Sequence, residues 1–134
     1  MRIRPKASTR GFTLIEMVVV ISLILVLLSI ALPMYNQSIL RAKESTLKQD
    51  LFTLRHVIQQ YTLDKQKAPQ GLEDLISAHY LKFIPKDPMT GEPNWQTEEE
   101  DTILSPDQTQ PGIVDVHSSS NQVSSDGTTT YSSW

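Results

Sequence analysis

The sequence predicts an α+β fold: a long N-terminal helix packed against a small antiparallel sheet, with a C-terminal loop closing the head. Three observations carry this expectation. Met17 to Leu32 is a run of 16 residues without a charge. It is followed by an apolar stripe, Leu40, Leu47, Leu51, Leu54, Ile58 and Tyr61, spaced 7, 4, 3, 4 and 3, which is a helical period. Beyond Lys67 the texture breaks into proline- and glycine-rich turns separating short stretches suited to strands.

The first element opens with Arg2, Arg4, Lys6 and Arg10, then Gly11-Phe12-Thr13-Leu14-Ile15-Glu16. A secretory signal also has a basic start, but its apolar core runs about 7–15 residues to a small-residue cleavage site. No clear site of that kind follows Leu32. Phe12 to Leu32 is 21 residues, as a helix roughly 31 Å, enough to cross a bilayer core. Positive charge before the segment favours a cytoplasmic N-terminus and an exported C-terminus. Glu16 is the anomaly, because a carboxylate deep in a bilayer costs on the order of 2.5–3.5 kcal/mol unless something compensates it.

From Tyr35 the pattern turns amphipathic, with Lys43, Glu44, Lys48, Asp50, Arg55 and Gln59 mostly off the stripe. One helix is expected from Phe12 to Leu63, about 78 Å if straight, bent or locally melted at Pro33, whose ring removes a backbone hydrogen bond. The stripe could also form a coiled-coil seam, but it spans only about three heptads and strands follow to cover it.

Lys67-Ala68-Pro69-Gln70-Gly71 ends the helix, and Gly71 to Ile76 reads as a short second one. Ile84 to Gly91 is a turn-rich connection. Three short strands are expected at Asn94–Thr97, Thr102–Leu104 and Gly112–Val116, with Glu98-Glu99-Glu100-Asp101 as a solvated acidic turn.

At 134 residues the chain has room for one small head beyond its apolar helix. The four basic residues of the leader leave −7 on residues 12 to 134 from a total of −3. That acidic balance offers no footprint for nucleic acid, which needs a basic patch to displace counterions. With no cysteine there is neither a disulfide nor a thiolate metal site. Asp115, His117 and Ser118 do not read as a triad, since in a strand the first two share a face and Ser118 points to the other. His56 and His79 lack partners at metal-ligand spacing, and no phosphate-binding glycine loop is present.

The segment from Arg10 to Leu32 resembles the class III signal of type IV pilins and type II secretion pseudopilins. The resemblance implies a type IV pilin-like fold and cleavage by a prepilin peptidase between Gly11 and Phe12. N-methylation of Phe12 and use of Glu16, the fifth mature residue, in assembly are implied as well. Pro33 matches the proline such chains commonly carry at the end of the first apolar segment. Gly11 suits a tight peptidase site because its backbone has no side chain to keep it away. The amine freed at Phe12 could meet Glu16 of a neighbouring subunit, and a methylated amine keeps its charge.

The head also resembles that of the major pseudopilins, the G subunits of type II secretion. The matching residues are Gly71-Leu72, Leu81, Ile84-Pro85-Lys86-Asp87-Pro88, Gly112 to Ser118, and Asp126-Gly127 with Tyr131 and Trp134. This implies a homopolymeric filament anchored in the inner membrane with its head in the periplasm. Membrane lipid, minor pseudopilins, the prepilin peptidase, and an inner-membrane platform with its ATPase are the implied partners, and no catalysis by the chain itself. It divides the chain into a cleaved leader (1–11), a transmembrane assembly helix (12–33), an amphipathic continuation (34–64) and a head (65–134). It further implies a structural calcium in the C-terminal loop, for which Asp126 is the surviving carboxylate and Asn121 stands where a second aspartate is expected. The alternative there is a Ser/Thr-rich loop closed by Tyr131 and Trp134 packing. Three further readings of the chain are an uncleaved signal anchor, a type IV pilin for adhesion, motility or DNA uptake, and a membrane-anchored binding module that never polymerises.

Overall fold

A computed structural model describes residues 10–101, 105, 106, 108 and 110–134. The chain divides into two compact units between Gln37 and Ser38. One long helix, α1 (Leu14–Lys65), begins in the first unit and supplies the core face of the second.

In the first unit α1 is long and apolar enough to cross a membrane, and its apolar window is wholly exposed. Leu14, Ile24, Leu27, Leu32 and their neighbours are exposed, with no partner surface among the described residues. The helix continues through Pro33 without a break, so the local melting expected there does not occur. Proline removes one hydrogen bond of the ladder, and the flanking turns hold the helical path.

In the second unit the stripe is buried as its spacing predicts: Leu47, Leu51, Leu54, Ile58 and Tyr61 join Leu72, Leu75, Trp95, Ile113, Val116 and Tyr131 in one cluster. α1 ends two residues beyond the expected Leu63, its last turn carrying Lys65 and its chain reversed by Gln66 at φ 55. A basic residue at a helix C-terminus and a left-handed residue just past it are ordinary stop signals. The second helix, α2 (Leu72–Ser77), puts Leu72 and Leu75 into the core. Gly71 caps it without a side chain, and Asp74 Oδ2 accepts the Gln70 N–H at 2.9 Å.

Among the described residues the sheet has two antiparallel strands, β1 (Gln96–Glu100) and β2 (Gly112–His117), with a bulge between Glu98 and Glu99. This corrects the expectation of a first strand at Asn94–Thr97 followed by an acidic turn, because Glu98, Glu99 and Glu100 are strand residues. All five β1 side chains are exposed, so the strand is held by its ladder to β2 and carries no apolar alternation to read. The expected strand at Thr102–Leu104 lies outside the described residues. β2 follows expectation with one residue more, burying Ile113 and Val116.

Behind the sheet the proline-rich connection is fixed by its own buried carboxylate. Asp87, fully buried, accepts the Met89 N–H at 2.8 Å and the Ser118 hydroxyl at 2.5 Å. Trp95 donates its indole N–H to the Pro85 carbonyl at 2.8 Å. The residues after β2 double back through a Val123–Thr130 bridge and end in a 3₁₀ turn (Tyr131–Ser133).

Candidate functional site

The first site is the start of α1. Thr13 and Glu16 form a reciprocal cap: the Glu16 N–H donates to Thr13 Oγ1 at 3.3 Å, and the Thr13 N–H to Glu16 Oε2 at 3.4 Å. Such a box satisfies two of the amide groups a helix start leaves open, and it draws the carboxylate to the positive end of the helix dipole. Arg10, Gly11, Phe12 and Glu16 line one open recess of about 280 Å³. A Cβ built on Gly11 meets nothing within 4 Å, and the backbone on both sides is exposed. The Gly11–Phe12 bond is therefore approachable from outside, beside the one carboxylate of the apolar segment. Pro33 lies 17 positions beyond Glu16, exposed within α1.

The second site is the C-terminal loop, and here a charged residue counted mostly off the apolar stripe turns inward. Glu44 is buried, 9% exposed. Its Oε1 accepts the Ser125 N–H at 2.6 Å and the Tyr131 hydroxyl at 2.7 Å, while Oε2 accepts the Ser125 hydroxyl at 2.7 Å. Burial raises the Glu44 carboxyl, but the Ser125 and Tyr131 donors outweigh it and leave it below the usual range. Burial, then the Glu44 carboxylate, push the Tyr131 hydroxyl up to about 12. The signal was in the stripe: Glu44 fills the seven-residue gap between Leu40 and Leu47, making the spacing 4, 3, 4, 3, 4, 3.

Arg55, also set off the stripe, ties the same end of the head together. Its Nε donates to Asp115 Oδ1 at 2.5 Å, and one terminal nitrogen donates to the main-chain oxygens of Val116 at 2.9 Å and Trp134 at 2.6 Å. Lys48 lies 4.6 Å from the Trp134 ring, and Tyr131 meets that ring edge-on at 5.1 Å.

Calcium takes six to eight oxygen ligands, and the loop from Asn121 to Gly127 holds one carboxylate, Asp126, whose partners lie within or just beyond it. Asp126 Oδ1 is taken by the Ser124 hydroxyl and by the Thr128 N–H at 3.0 Å. Those donors, Ser124 foremost, hold its carboxyl down at about 2. The carbonyls of Gln122, Ser124 and Thr129 already accept the N–H groups of Tyr131, Gly127 and Ser124. Asn121 is exposed and hydrogen-bonds no described residue. The cavity Asp126 does line, about 500 Å³, is shared with Lys48 and Arg55, two cations that repel a third.

Asp115 and His117 do meet, Oδ2 to Nε2 at 3.7 Å, with Glu98 Oε2 3.5 Å from the same nitrogen. Ser118 goes the other way, into the buried bond with Asp87. His117 Nδ1 faces the Trp134 oxygen at 3.0 Å, and His56 stacks on Phe52. His79 occupies a left-handed turn, φ 63, just after α2.

Residues 6–32 match the profile of the prokaryotic N-terminal methylation motif. Type II secretion system core protein G of Klebsiella pneumoniae is 32% identical over 125 residues, covering 81% of this chain and 82% of that protein. The chain belongs to the core protein G family of pseudopilins. Core protein G of Escherichia coli (strain K12) is 33% identical over 101 residues, 63% of this chain and 70% of the relative. The type IV major fimbrial protein FimA of Dichelobacter nodosus is 35% identical over 65 residues, but they cover only 41% of that protein. Similarity to core protein G thus extends through the head, and pseudopilin is favoured over fimbrial pilin. No solved structure matches the chain. The family consists of pilin-like structural subunits, and the exposed apolar start of α1 with its methylation motif fits a membrane-anchored pseudopilin.

Proposed function

We propose that this pseudopilin is made as a precursor, cut between Gly11 and Phe12 by a prepilin peptidase, and N-methylated on Phe12. It then polymerises into the helical pseudopilus of a type II secretion system, which helps drive protein export. Residues 1–11 are then the discarded leader, 12–33 the membrane and assembly helix, 34–64 its amphipathic continuation, and 65–134 the periplasmic head. Before assembly the chain spans the inner membrane once, basic end in the cytoplasm. Copies stack with a rotation that does not close, which yields an open filament. Minor pseudopilins, the membrane platform and its ATPase are the remaining partners, and the energy comes from them, the pseudopilin having a structural and not an enzymatic part.

The observation that supports this reading best is Glu16 itself: one carboxylate at the start of an exposed apolar helix, beside an approachable Gly11–Phe12 bond. Cleavage would free a cation at Phe12, and a neighbour's Glu16 is the acid it would meet. Intact-mass measurement on protein purified from membranes tests the first half, with a methylated Phe12 expected at the N-terminus. Glu16→Ala tests the second: filaments and cross-linked ladders should disappear while the monomer stays in the membrane. Retention of residues 1–11, or normal ladders from Glu16→Ala, would overturn the proposal.

A further inference from the structure

We propose that the Glu44 carboxylate closes the C-terminal loop of this head where the family resemblance implies a calcium ion, so that the head stays folded with no divalent cation. The inference depends on the family reading only because that reading implies the ion; it does not require filament assembly.

The loop and the helix meet with their charges arranged for a carboxylate. Ser125 turns two donors, its N–H and its hydroxyl, toward α1, and Tyr131 adds a third from the end of the chain. Donor hydrogens carry partial positive charge, so three of them turned to one point suit an acid. Glu44 is the acid, 81 positions before Ser125, and both of its oxygens are used. Among the described residues no basic side chain pairs with it. A buried carboxylate with neither a cation nor donors would be very costly, and here three donors supply the compensation. A metal ion in a loop cross-links distant residues by binding oxygens from each. The Glu44 cluster makes the same connection, joining α1 to Ser125 and Tyr131 through hydrogen bonds.

The loop's own acid confirms the division. Asp126 is spent inside its turn on Ser124 and Thr128, and Lys48 and Arg55 stand at the cavity it borders. The Val123–Thr130 bridge and the Ser124–Thr129 and Gln122–Tyr131 backbone bonds already pair the two arms of the loop.

The experiment is thermal unfolding of the full-length protein in detergent, followed by Trp95 and Trp134 fluorescence, with excess calcium chloride or with excess EGTA. Wild-type protein should melt at the same temperature in both. An ion bound to the native state at a hundred times its Kd would separate the two melts by about 10–20 °C. Glu44→Gln, which turns an amide N–H₂ against the Ser125 donors, should lower the Tm equally in both solutions. Tyr131→Phe, which removes one donor and keeps the ring, should lower it by about 5–10 °C and serves if Glu44→Gln does not fold. Asp126→Asn should leave the protein as indifferent to calcium as before. A wild-type Tm raised by calcium or lowered by EGTA overturns the proposal, and so does Tyr131→Phe melting with the wild type.

Discussion

Replacing Gly112 by alanine drives a methyl group into the turn that separates α1 from α2. A Cβ built on Gly112 stands 2.2 Å from Ala68 Cβ and 3.1 Å from both Ala68 Cα and Ala68 C. Carbon atoms prefer about 3.5–4.0 Å, so the first residue of β2 and the buried turn must separate by more than an ångström. The adjacent link resists that movement: the Ile113 N–H donates to the Pro69 carbonyl at 2.8 Å, and Ile113 is a core residue. Overpacking of this kind costs about 1–3 kcal/mol, and straining a buried backbone hydrogen bond adds about 1 kcal/mol more. For a head of this size the sum of about 2–4 kcal/mol lowers the Tm by about 10–25 °C. The assay is the same full-length melt, read by the fluorescence of Trp95, which is buried in the core. Gly91→Ala is the comparison, because Gly91 has φ 77 but open space around it; only backbone strain of about 1 kcal/mol is expected there. Ala68→Gly combined with Gly112→Ala should recover part of the loss by removing the shorter contact. If Gly112→Ala melts no lower than Gly91→Ala, or Ala68→Gly gives no relief, steric contact is not what keeps a glycine at this position.

Two further expectations follow from the charged groups. Arg55→Met breaks the bonds to Asp115, Val116 and Trp134 and should cost about 1–2 kcal/mol, a modest figure because the arginine is 35% exposed. Trp134 fluorescence should shift toward its solvent value while Trp95 stays unchanged, and Arg55→Lys should not restore it, since an ammonium cannot reproduce the fork. Acid should loosen the C-terminal loop, because Glu44 and Asp126 both have carboxyls below their ordinary 4.5 and 3.8 in the folded head. Groups depressed on folding stabilise fully above the unfolded values, and that stability is lost as pH falls through them toward the folded values. Asp50, raised by burial and by Asp87, works in the opposite sense and offsets part of the loss. The Tm should therefore fall from about pH 5, near the unfolded values, down to the folded Asp126 value of about 2, and Glu44→Gln should flatten that fall.

What could be read from the sequence and what could not follows from how far each interaction reaches along the chain. The stripe from Leu47 to Tyr61 is legible because burial on a helix repeats locally, and the N-terminal methylation motif is legible because it is one continuous stretch of chain. β1 is not, since alternation appears only when one face of a strand is buried and all five of its side chains are exposed. Its acidic run looks like a turn until the backbone of β2 is there to pair with it. Arg55 and Asp87 find their partners 60 and 31 positions away, distances at which spacing carries no information. Glu44 lies between these cases. Its position in the gap of the stripe is visible, but a charge does not read as a core residue, and the donors that justify its burial belong to the far end of the chain.

Two carboxylates on the apolar surface of α1 make a useful contrast. Glu44 is compensated within its own chain by three donors, and nothing about it calls for a partner. Among the described residues Glu16 has only the long bonds of its cap with Thr13. A cap of that kind is worth about 1 kcal/mol, against an insertion cost on the order of 2.5–3.5 kcal/mol for a carboxylate deep in a bilayer. The shortfall of about 2 kcal/mol is a free-energy incentive for each copy to seek a cation inside the apolar phase. The proposed cleavage provides one at Phe12, which lines the same recess as Glu16 in its own chain, and the amine of a neighbouring copy is the other candidate. A carboxylate with that incentive supports reading the start of α1 as an assembly surface, while the buried acid of the head is compensated within its own chain.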